Sequence, residues 1–448
     1  MRTTALPLAM AVILTITSGP AMRAELGTRV AGNLVFWDQA RGFDAITANA
    51  DVLSEVSPFW YRVLADGRVV PYTTSAGGTY EDPSILTFLR ANGIQVIPTV
   101  ANIIDGRWDG QAVSRILRDA TLRALNIDAL VQLAVGKGYD GIDLDYEDLP
   151  AADRSAFSAF VSSLASALHA RGKVLSVNVY AKTSEPGTWS GPQAQDWRAI
   201  GQAADQVRIM AYEYHWSSSG PGPIAPVWWV RDVLAFARTA IPADRITHGL
   251  PLYGYDWVGQ SGVDTVWSQS MALASQHGAT IRWDAASGTS WFEYTAQNTR
   301  HTVWFENGRS TDAKLQAAAD YRVSGVALWR LGGEDPATWT ALRTRLGSGG
   351  GGGGGGGVDT VSPSVTITAP ANGSVVSKKQ TIGALATDNV AVARVEFFVD
   401  NRRIASDTTT PYSVSWNSQP VARGTHVITA VAYDTSGNHA SASVTVTR

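Results

Sequence analysis

Three carboxylates alternate with apolar residues in the run DGIDLDYE at residues 140–147. In an extended strand alternate side chains share a face, so Asp143, Asp145 and Glu147 point to one side and the apolar residues to the other. Successive acids then lie roughly 6 to 7 Å apart along the backbone. Crowding of like charges in a low-dielectric interior raises the pKa of at least one of them. The run therefore predicts a carboxylic acid that can donate a proton near neutral pH.

A divalent-cation site or a solvated acidic face is the alternative interpretation of an aspartate-rich string. A calcium-binding loop needs glycine at its sixth position and ligands spread over twelve residues, whereas here an apolar residue stands at every second place. We therefore expect no metal on these acids. Asp140 is an odd number of residues away from the other three acids, so its side chain points to the opposite face of the strand. We expect it to be a structural partner at the start of the strand.

The acid run is the fourth of eight strand-like runs, with helix-compatible segments between many of them. The eight runs are NLVFWD, VLSEVSPFWY, IQVIPTVAN, YDGIDLDYE, VLSVNVYAK, QVRIMAYEY, ITHGLPLYGY and GVALWRLGG. This alternation predicts an α/β fold, a (β/α)8 TIM barrel, whose active sites lie at the C-terminal ends of the strands. The runs TIRWD, SWFEYT and HTVWFENG predict a small α+β insertion at about residues 258–310, between the seventh and eighth barrel strands.

The two ends of the chain differ from this central part, which we expect to span residues 25–346. Arg2, an apolar run and small residues up to Ala24 predict a signal peptide at residues 1–24, and hence a secreted, extracellular protein. The glycine-rich stretch 347–357 predicts a flexible linker. Short alternating β runs in residues 358–448 predict an all-β, Ig-like sandwich without a disulfide, which acts as a spacer or a glycan-binding module with an unknown partner.

The amino-acid composition of the chain excludes several classes of function. The chain has 36 Lys and Arg against 39 Asp and Glu, so no global basic field exists to bind nucleic acid or an anionic membrane surface. With no cysteine, disulfides, thiolate metal sites and cysteine nucleophiles are excluded. Phosphate-binding loops, nucleophile elbows and zinc-peptidase strings are also absent from the sequence, and we expect no cofactor. Tryptophan, at 16 residues, exceeds phenylalanine at 11, a surplus suited to sites that grip partly apolar ligands.

The acid run resembles the DxxDxDxE signature of glycoside hydrolase family 18, the chitinase-like hydrolases. Two further segments agree in the expected order, since Met210-Ala211-Tyr212 resembles the family's Met-x-Tyr on the sixth strand and Trp329 its eighth-strand tryptophan. The resemblance covers about residues 27–346. The segments SPFWY, MAYEYHW, VWFENGRS and ALWRLGGED are most similar to the branch that contains spore cortex-lytic N-acetylglucosaminidases. Residues 358–448 resemble the bacterial Ig-like modules of secreted polysaccharide enzymes.

This resemblance implies a retaining mechanism in which the 2-acetamido oxygen of the substrate attacks the anomeric carbon, so that no enzyme nucleophile is needed. By the same resemblance, Glu147 protonates the departing glycosidic oxygen and later activates water. Asp145 orients the acetamido group, and Asp143 shares a proton with Asp145. Tyr212 donates a hydrogen bond to the acetamido oxygen.

The resemblance and the strand positions also suggest substrate-binding residues. Trp329 would form an apolar floor beneath the reacting sugar, and Met210, Phe59 and Asn178 are further candidates. Glu213 stands where the family often has aspartate, which moves the charge one methylene outward. Other aromatic residues near predicted strand ends could stack on sugar rings or simply pack: Trp37, Trp60, Trp216, Tyr253 and Trp257.

The first functional hypothesis is therefore a hydrolase of β-1,4 linkages next to N-acetylglucosamine in chitin or chitin-like polysaccharides and oligosaccharides. A peptidoglycan N-acetylglucosaminidase with the same machinery stays open. A lectin-like chitin-binding protein is the alternative from a different class, because relatives that lost the acid only bind sugar, and the presence of Glu147 argues against it. An Ig-bearing adhesin would not explain the acids on the fourth strand.

Overall fold

The computed structural model describes residues 27–347, 362–388, 392–400, 402–434 and 438–448. The predicted signal peptide and residues 348–357 of the predicted linker lie outside the described residues. Among the helices it describes, none is both long and apolar enough to cross a membrane.

The first part of the chain is a closed parallel barrel of eight strands, which confirms the predicted fold class. The second and third barrel strands are each interrupted, at Trp60 and at Ile97-Pro98. One end of the sheet carries the first segments of these two strands and the other end their second segments, so the sheet closes on itself. The strands are Arg29–Val35, Glu55–Phe59 with Tyr61–Val63, Gln95–Val96 with Thr99–Ala101, Gly141–Asp145, Val174–Tyr180, Gln206–Met210, Ile246–Pro251 and Gly325–Trp329.

Helices surround the barrel and bury one face each against it. Arg154–His169 shows the pattern, since its buried residues Phe157, Val161, Leu164 and Leu168 recur at helical spacing. Aspartate side chains accept hydrogen bonds from the first backbone N–H groups of four helices. The α-helices of this layer are Gln39–Ala48, Pro83–Ala91, Gly110–Arg118, Ala120–Gly136, Arg154–His169, Ser190–Gln193, Trp197–Ala203, Val227–Ala240, Gly308–Asp320 and Ala337–Gly347. Short 3-10 helices are Phe36–Asp38, Ala151–Asp153 and Ala243–Arg245, and short strands are Val69–Pro71, Ile103–Ile104 and Arg107–Trp108.

A small antiparallel subdomain lies between the seventh and eighth barrel strands. Its strands are Tyr253–Val258, Ser261–Val266, Arg282–Asp284, Thr289–Ala296 and Thr299–Phe305, with the helix Trp267–Gln276 packed on one face. The run ITHGLPLYGY, expected to be a single strand, is divided between the barrel and this insertion. Leu252 still donates its N–H to the carbonyl of Trp329 at 2.7 Å, whereas Tyr253 pairs with Val266, so the insertion begins before residue 258.

The C-terminal part is an all-β sandwich of two antiparallel sheets, as expected for an Ig-like domain. Ser364–Ala369, Lys379–Thr387 and Tyr412–Asn417 form one sheet, and Val392–Val399, Arg402–Asp407, Thr425–Asp434 and His439–Thr447 form the other. Alternate residues of the strands face inward, and the core contains Ile382, Val395, Phe397, Trp416 and Ile428.

Candidate active site

The acid run lies where the fourth barrel strand leaves the barrel. Gly141–Asp145 is wholly buried, and Glu147 follows two residues later, at the partly exposed mouth. Asn102, just past the third strand, fixes the backbone of Glu147 from both sides. Its amide oxygen accepts the Glu147 N–H at 2.8 Å and its amide nitrogen donates to the Glu147 carbonyl at 2.9 Å. The position of the Glu147 side chain is therefore set by a neighbouring strand as well as its own.

Asp143 is buried in the barrel interior and is held by donors from three other strands. One carboxylate oxygen, Oδ2, accepts hydrogen bonds from Thr99 at 2.8 Å and Asn178 at 3.0 Å, and lies 3.1 Å from Arg208. The Arg208 guanidinium also binds Glu55 at 2.8 Å. These contacts place a buried positive charge directly beneath the acids.

Asp145 and Glu147 share a hydrogen bond and both have raised pKa values. Burial, followed by the negative charges of Glu147 and Asp143, holds the pKa of Asp145 well above its usual range. Burial also raises the pKa of Glu147 to about 7, although a hydrogen bond from Tyr180 to its Oε2, at 2.6 Å, acts in the opposite direction. The Glu147 carboxyl can therefore hold a transferable proton near neutral pH.

Met210 ends the sixth barrel strand, and Tyr212 and Glu213 follow it at the mouth. Burial and the nearby carboxylates raise the pKa of Tyr212 well above its usual range, so its hydroxyl stays a donor. Glu213 adopts a left-handed backbone conformation with φ of 60°. It accepts hydrogen bonds from Tyr253 and, at 3.0 Å, from Tyr255, both on the first strand of the insertion. The insertion therefore fixes the charge of Glu213 at the rim.

Trp329 ends the eighth barrel strand and packs edge-on against two aromatic rings. The ring centroids of Trp37 and Phe59 lie 6.4 Å and 6.0 Å from that of Trp329. Trp37 is 49% exposed and lines the cavity beside Trp329. Phe59 is only 1% exposed, because Tyr72 stacks on it at 6.1 Å. The structure thus places Phe59 behind Trp329 as a support, and not on the surface that a ligand would touch.

These side chains surround a cavity of about 1000 Å³ at the C-terminal ends of the barrel strands. Seven of the nine predicted site residues line it: Asp145, Glu147, Asn178, Met210, Tyr212, Glu213 and Trp329. Asp143 and Phe59 lie behind this lining. Six tryptophans also line the cavity: Trp37, Trp108, Trp189, Trp216, Trp229 and Trp329. The tryptophan surplus of the composition is therefore concentrated at this site, whereas Trp60 and Trp257 are fully buried.

The structure adds functional residues that the sequence analysis did not identify. Asn102 clamps the backbone of Glu147, Tyr180 binds its carboxylate, and Arg208 with Glu55 lies beneath the acids. The pairing of Arg208 and Glu55 could have been suspected from the sequence, because a charged residue within a buried, apolar strand needs a partner of opposite charge. Tyr180 carried no comparable signal. Across the described residues, no group of three or more His, Asp or Glu side chains is arranged to hold a metal ion.

Comparison with known proteins agrees with this geometry. The family model for glycosyl hydrolases family 18 matches residues 89–334, and the model for a bacterial Ig domain matches residues 363–430. The chain is 34% identical over 252 residues to the cortical fragment-lytic enzyme of Bacillus subtilis, covering 54% of this chain and 58% of that protein.

Solved structures show the same likeness. A chitinase from Chromobacterium violaceum superposes with a TM-score of 0.66 at 31% identity, covering 71% of this chain and 98% of that one. The spore cortex-lytic enzyme SleL of Bacillus cereus gives a TM-score of 0.64 at 26% identity, covering 72% and 75%. The chain carries a C-terminal bacterial Ig domain, belongs to glycoside hydrolase family 18 and is a glycosidase.

Proposed function

We propose that this protein is a secreted, retaining hydrolase that cleaves β-1,4 linkages next to N-acetylglucosamine in chitin or chitin-like glycans. The observation that carries the proposal is the Glu147 carboxyl, which lies in the cavity between Asp145 and Tyr180 with a pKa of about 7. Such a group can give up a proton in one step and take it back in the next.

The reaction then proceeds in two steps. Glu147 transfers its proton to the glycosidic oxygen while the acetamido oxygen of the substrate attacks C1, and the C1–O bond to the leaving sugar breaks. Asp145 accepts a hydrogen bond from the acetamido N–H and stabilises the positive charge of the oxazolinium ring. Water next attacks C1 from the face opposite the acetamido oxygen and loses a proton to Glu147, while the C1–O bond of the oxazolinium ring breaks and restores the acetamido group. The two displacements together retain the anomeric configuration.

Two further side chains would position the reacting sugar. The Tyr212 hydroxyl, kept protonated by its raised pKa, donates to the acetamido oxygen and holds it toward C1. Trp329 offers an indole at the cavity wall and is supported from behind by Phe59. An apolar sugar face packs well on such a ring. Asn178 would act indirectly, by holding Asp143, because its amide donates a hydrogen bond to the Asp143 carboxylate at 3.0 Å.

The charges around the cavity favour a neutral glycan. The cationic side chains among the described lining residues each bind a carboxylate of this chain: Lys182 with Glu185, Arg208 with Glu55, and Arg330 with Asp38. Glu213 and Asp264 add negative charge at the same wall. Among the described lining residues, a substrate with acidic lactyl groups or peptide carboxylates would therefore meet no cationic side chain that is free of a carboxylate partner. This supports chitin-like glycans over peptidoglycan with free acidic groups.

A peptidoglycan N-acetylglucosaminidase is the second candidate, and the 34% identity to a cortical fragment-lytic enzyme favours it. Both candidates would use the same acid and the same acetamido chemistry. They differ in what must fit on either side of the cleaved bond, where peptidoglycan alternates its sugars and carries peptides.

The experiment offers both glycans to the purified protein and identifies the products by mass spectrometry. We expect cleavage of chitin oligosaccharides and slower cleavage of peptidoglycan. Faster release from peptidoglycan would favour the second candidate, and binding of either glycan without cleavage would overturn the hydrolase assignment. The Glu147→Gln variant tests for contaminating activity. Glu293→Gln is the matched control, since Glu293 lies on the insertion and pairs with Arg300.

Export is part of the proposal and needs its own test. The full chain, expressed in a bacterial host with a general secretion system, should appear outside the cytoplasm with a mature N-terminus close to Ala24. A protein that keeps residues 1–24 and stays in the cytoplasm would contradict this.

A further inference from the structure

One hydroxyl group links the fifth barrel strand to the end of the acid run. Tyr180 donates to Glu147 Oε2 at 2.6 Å, and its oxygen accepts the backbone N–H of Asp148 at 3.3 Å. Burial, and then the charge of Glu147, raises the pKa of Tyr180 far above its usual range, so its hydroxyl proton is retained. The hydroxyl also lies 3.2 Å from Oδ1 of Asp148, but its shorter contact is the one to Glu147, so its proton is directed mainly to the Glu147 carboxylate.

The loop after the fifth strand holds the ring of Tyr180 in place. The backbone N–H of Tyr180 donates to the side-chain oxygen of Gln195 at 2.7 Å. The Tyr180 ring packs edge-on against Trp189, with the ring centroids 4.6 Å apart. Gly191 makes this packing possible. A Cβ there would lie 2.4 Å from ring atoms of Trp189 and 2.7 Å from the Tyr180 ring, so a larger residue would push the two rings apart. The contact to Glu147 is thus specified by surrounding packing.

We propose that Tyr180 is a positioning residue for the acid/base, holding Oε2 of Glu147 so that the carboxyl has a single orientation in which to exchange its proton with substrate and water. The inference rests on the proposed function, because it assigns a partner to the Glu147 of that mechanism. Asn102 fixes the backbone of the same residue, so backbone and side chain are restrained by two different strands. A flexible carboxyl would spend part of its time out of reach of the glycosidic oxygen.

Tyr180 also balances the charges that Glu147 faces after it has given up its proton. The titratable side chains that act on Glu147 come from three strand ends: Asp145, Asp148, Tyr180, Tyr212 and Glu213. The charges of Asp148 and Glu213 oppose a negative charge on Glu147, whereas the hydrogen bonds with Tyr180 and Asp145 stabilise it. Without this donor the pKa of Glu147 should rise by about one unit, the order expected for one hydrogen bond to a charged group.

The test compares Tyr180→Phe with wild type over pH 5 to 10 on chitin oligosaccharides. Phenylalanine keeps the ring against Trp189 and removes only the hydroxyl. We expect kcat to fall about tenfold with little change in KM, and the alkaline limb of kcat/KM to move up by about one pH unit. Tyr146→Phe is the matched control, because that buried hydroxyl binds Asn126 at 2.9 Å behind the same strand and should leave the limb unmoved. If the alkaline limb of the kcat/KM profile of Tyr180→Phe lies at the same pH as that of wild type, the inference is overturned.

A second readout separates this inference from the proposed function. Carbon-13 labels on the glutamate carboxyls, assigned with Glu147→Gln, report the titration of Glu147 without any turnover. A higher titration midpoint in Tyr180→Phe supports the inference even if wild type cleaves neither glycan, which would refute only the proposed function. Equal midpoints in the two proteins would refute the role of Tyr180 while leaving the hydrolase intact.

Discussion

Arg208 is the positive charge on which the buried acids of the barrel depend, and its removal should be costly. Its side chain is only 2% exposed. The guanidinium binds Glu55 and Ser57, each at 2.8 Å, and lies 3.1 Å from Asp143. Arg208→Met has a similar volume but leaves two buried carboxylates without a cation.

Breaking a buried ion pair in this way costs about 3 to 5 kcal/mol, because the remaining charge is neither solvated nor neutralised. For a barrel of this size, about 1.5 °C is lost per kcal/mol, so Arg208→Met should lower the calorimetric melting temperature by about 5 to 7 °C. Adding Glu55→Gln should restore part of the loss, since it removes one of the two uncompensated charges.

Arg231→Met is the control, since Arg231 pairs with Asp320 at 2.6 Å but is 39% exposed. Surface pairs of this kind are worth between 0 and about 1 kcal/mol. Denaturation at pH 7 with a fluorescence and a calorimetric readout measures each variant. A loss for Arg208→Met no larger than that for Arg231→Met would refute the claim that the acids need this cation.

Three further outcomes are expected. The pKa of Glu147, about 7, predicts that kcat/KM falls above pH 7 as the acid loses its proton, and a rate constant that stays flat to pH 9 would contradict this. Burial lowers the pKa of His248 to about 3 in the folded protein, so stability should fall as the pH drops from about 6.5, where the unfolded chain begins to bind the proton, toward 3, by at most about 1.4 kcal/mol per pH unit. His248→Met should flatten that slope in denaturation curves, and identical slopes would exclude His248 as its source. Trp329→Ala should lower kcat/KM about tenfold or more, whereas Trp304→Ala, on the insertion sheet, should not.

The barrel could be predicted because its signals are local. Each strand run carries its own apolar pattern, and the acid run shows its two faces within eight residues. The division of ITHGLPLYGY could not be seen in the same way. Both halves are apolar enough to be strand, and the change of pairing partner, from Trp329 at Pro251 to Val266 at Tyr253, separates barrel from insertion.

The partners of the acids depend on contacts between distant parts of the chain. Arg208 meets Glu55 across 153 residues, and a pattern within one strand cannot specify that pairing. For Phe59, the position in the sequence suggested a role that the packing of the structure does not support. Its position at the end of a barrel strand suggested a sugar contact, but Tyr72, from the following loop, covers it. Whether an aromatic ring at the mouth is open or covered is decided by how the loops pack.

The most direct test of the central claim asks whether Glu147 acts as the proton donor. The kcat/KM of Glu147→Gln relative to wild type reports the first step and not the later attack of water, in which Glu147 also takes part. It should be measured on a chitin oligosaccharide and on a dinitrophenyl chitobioside, whose leaving group needs no proton. We predict a loss of about 10² to 10⁴ on the oligosaccharide and a much smaller loss on the aryl glycoside. Equal losses on both substrates, or a variant as active as wild type on the oligosaccharide, would contradict the account.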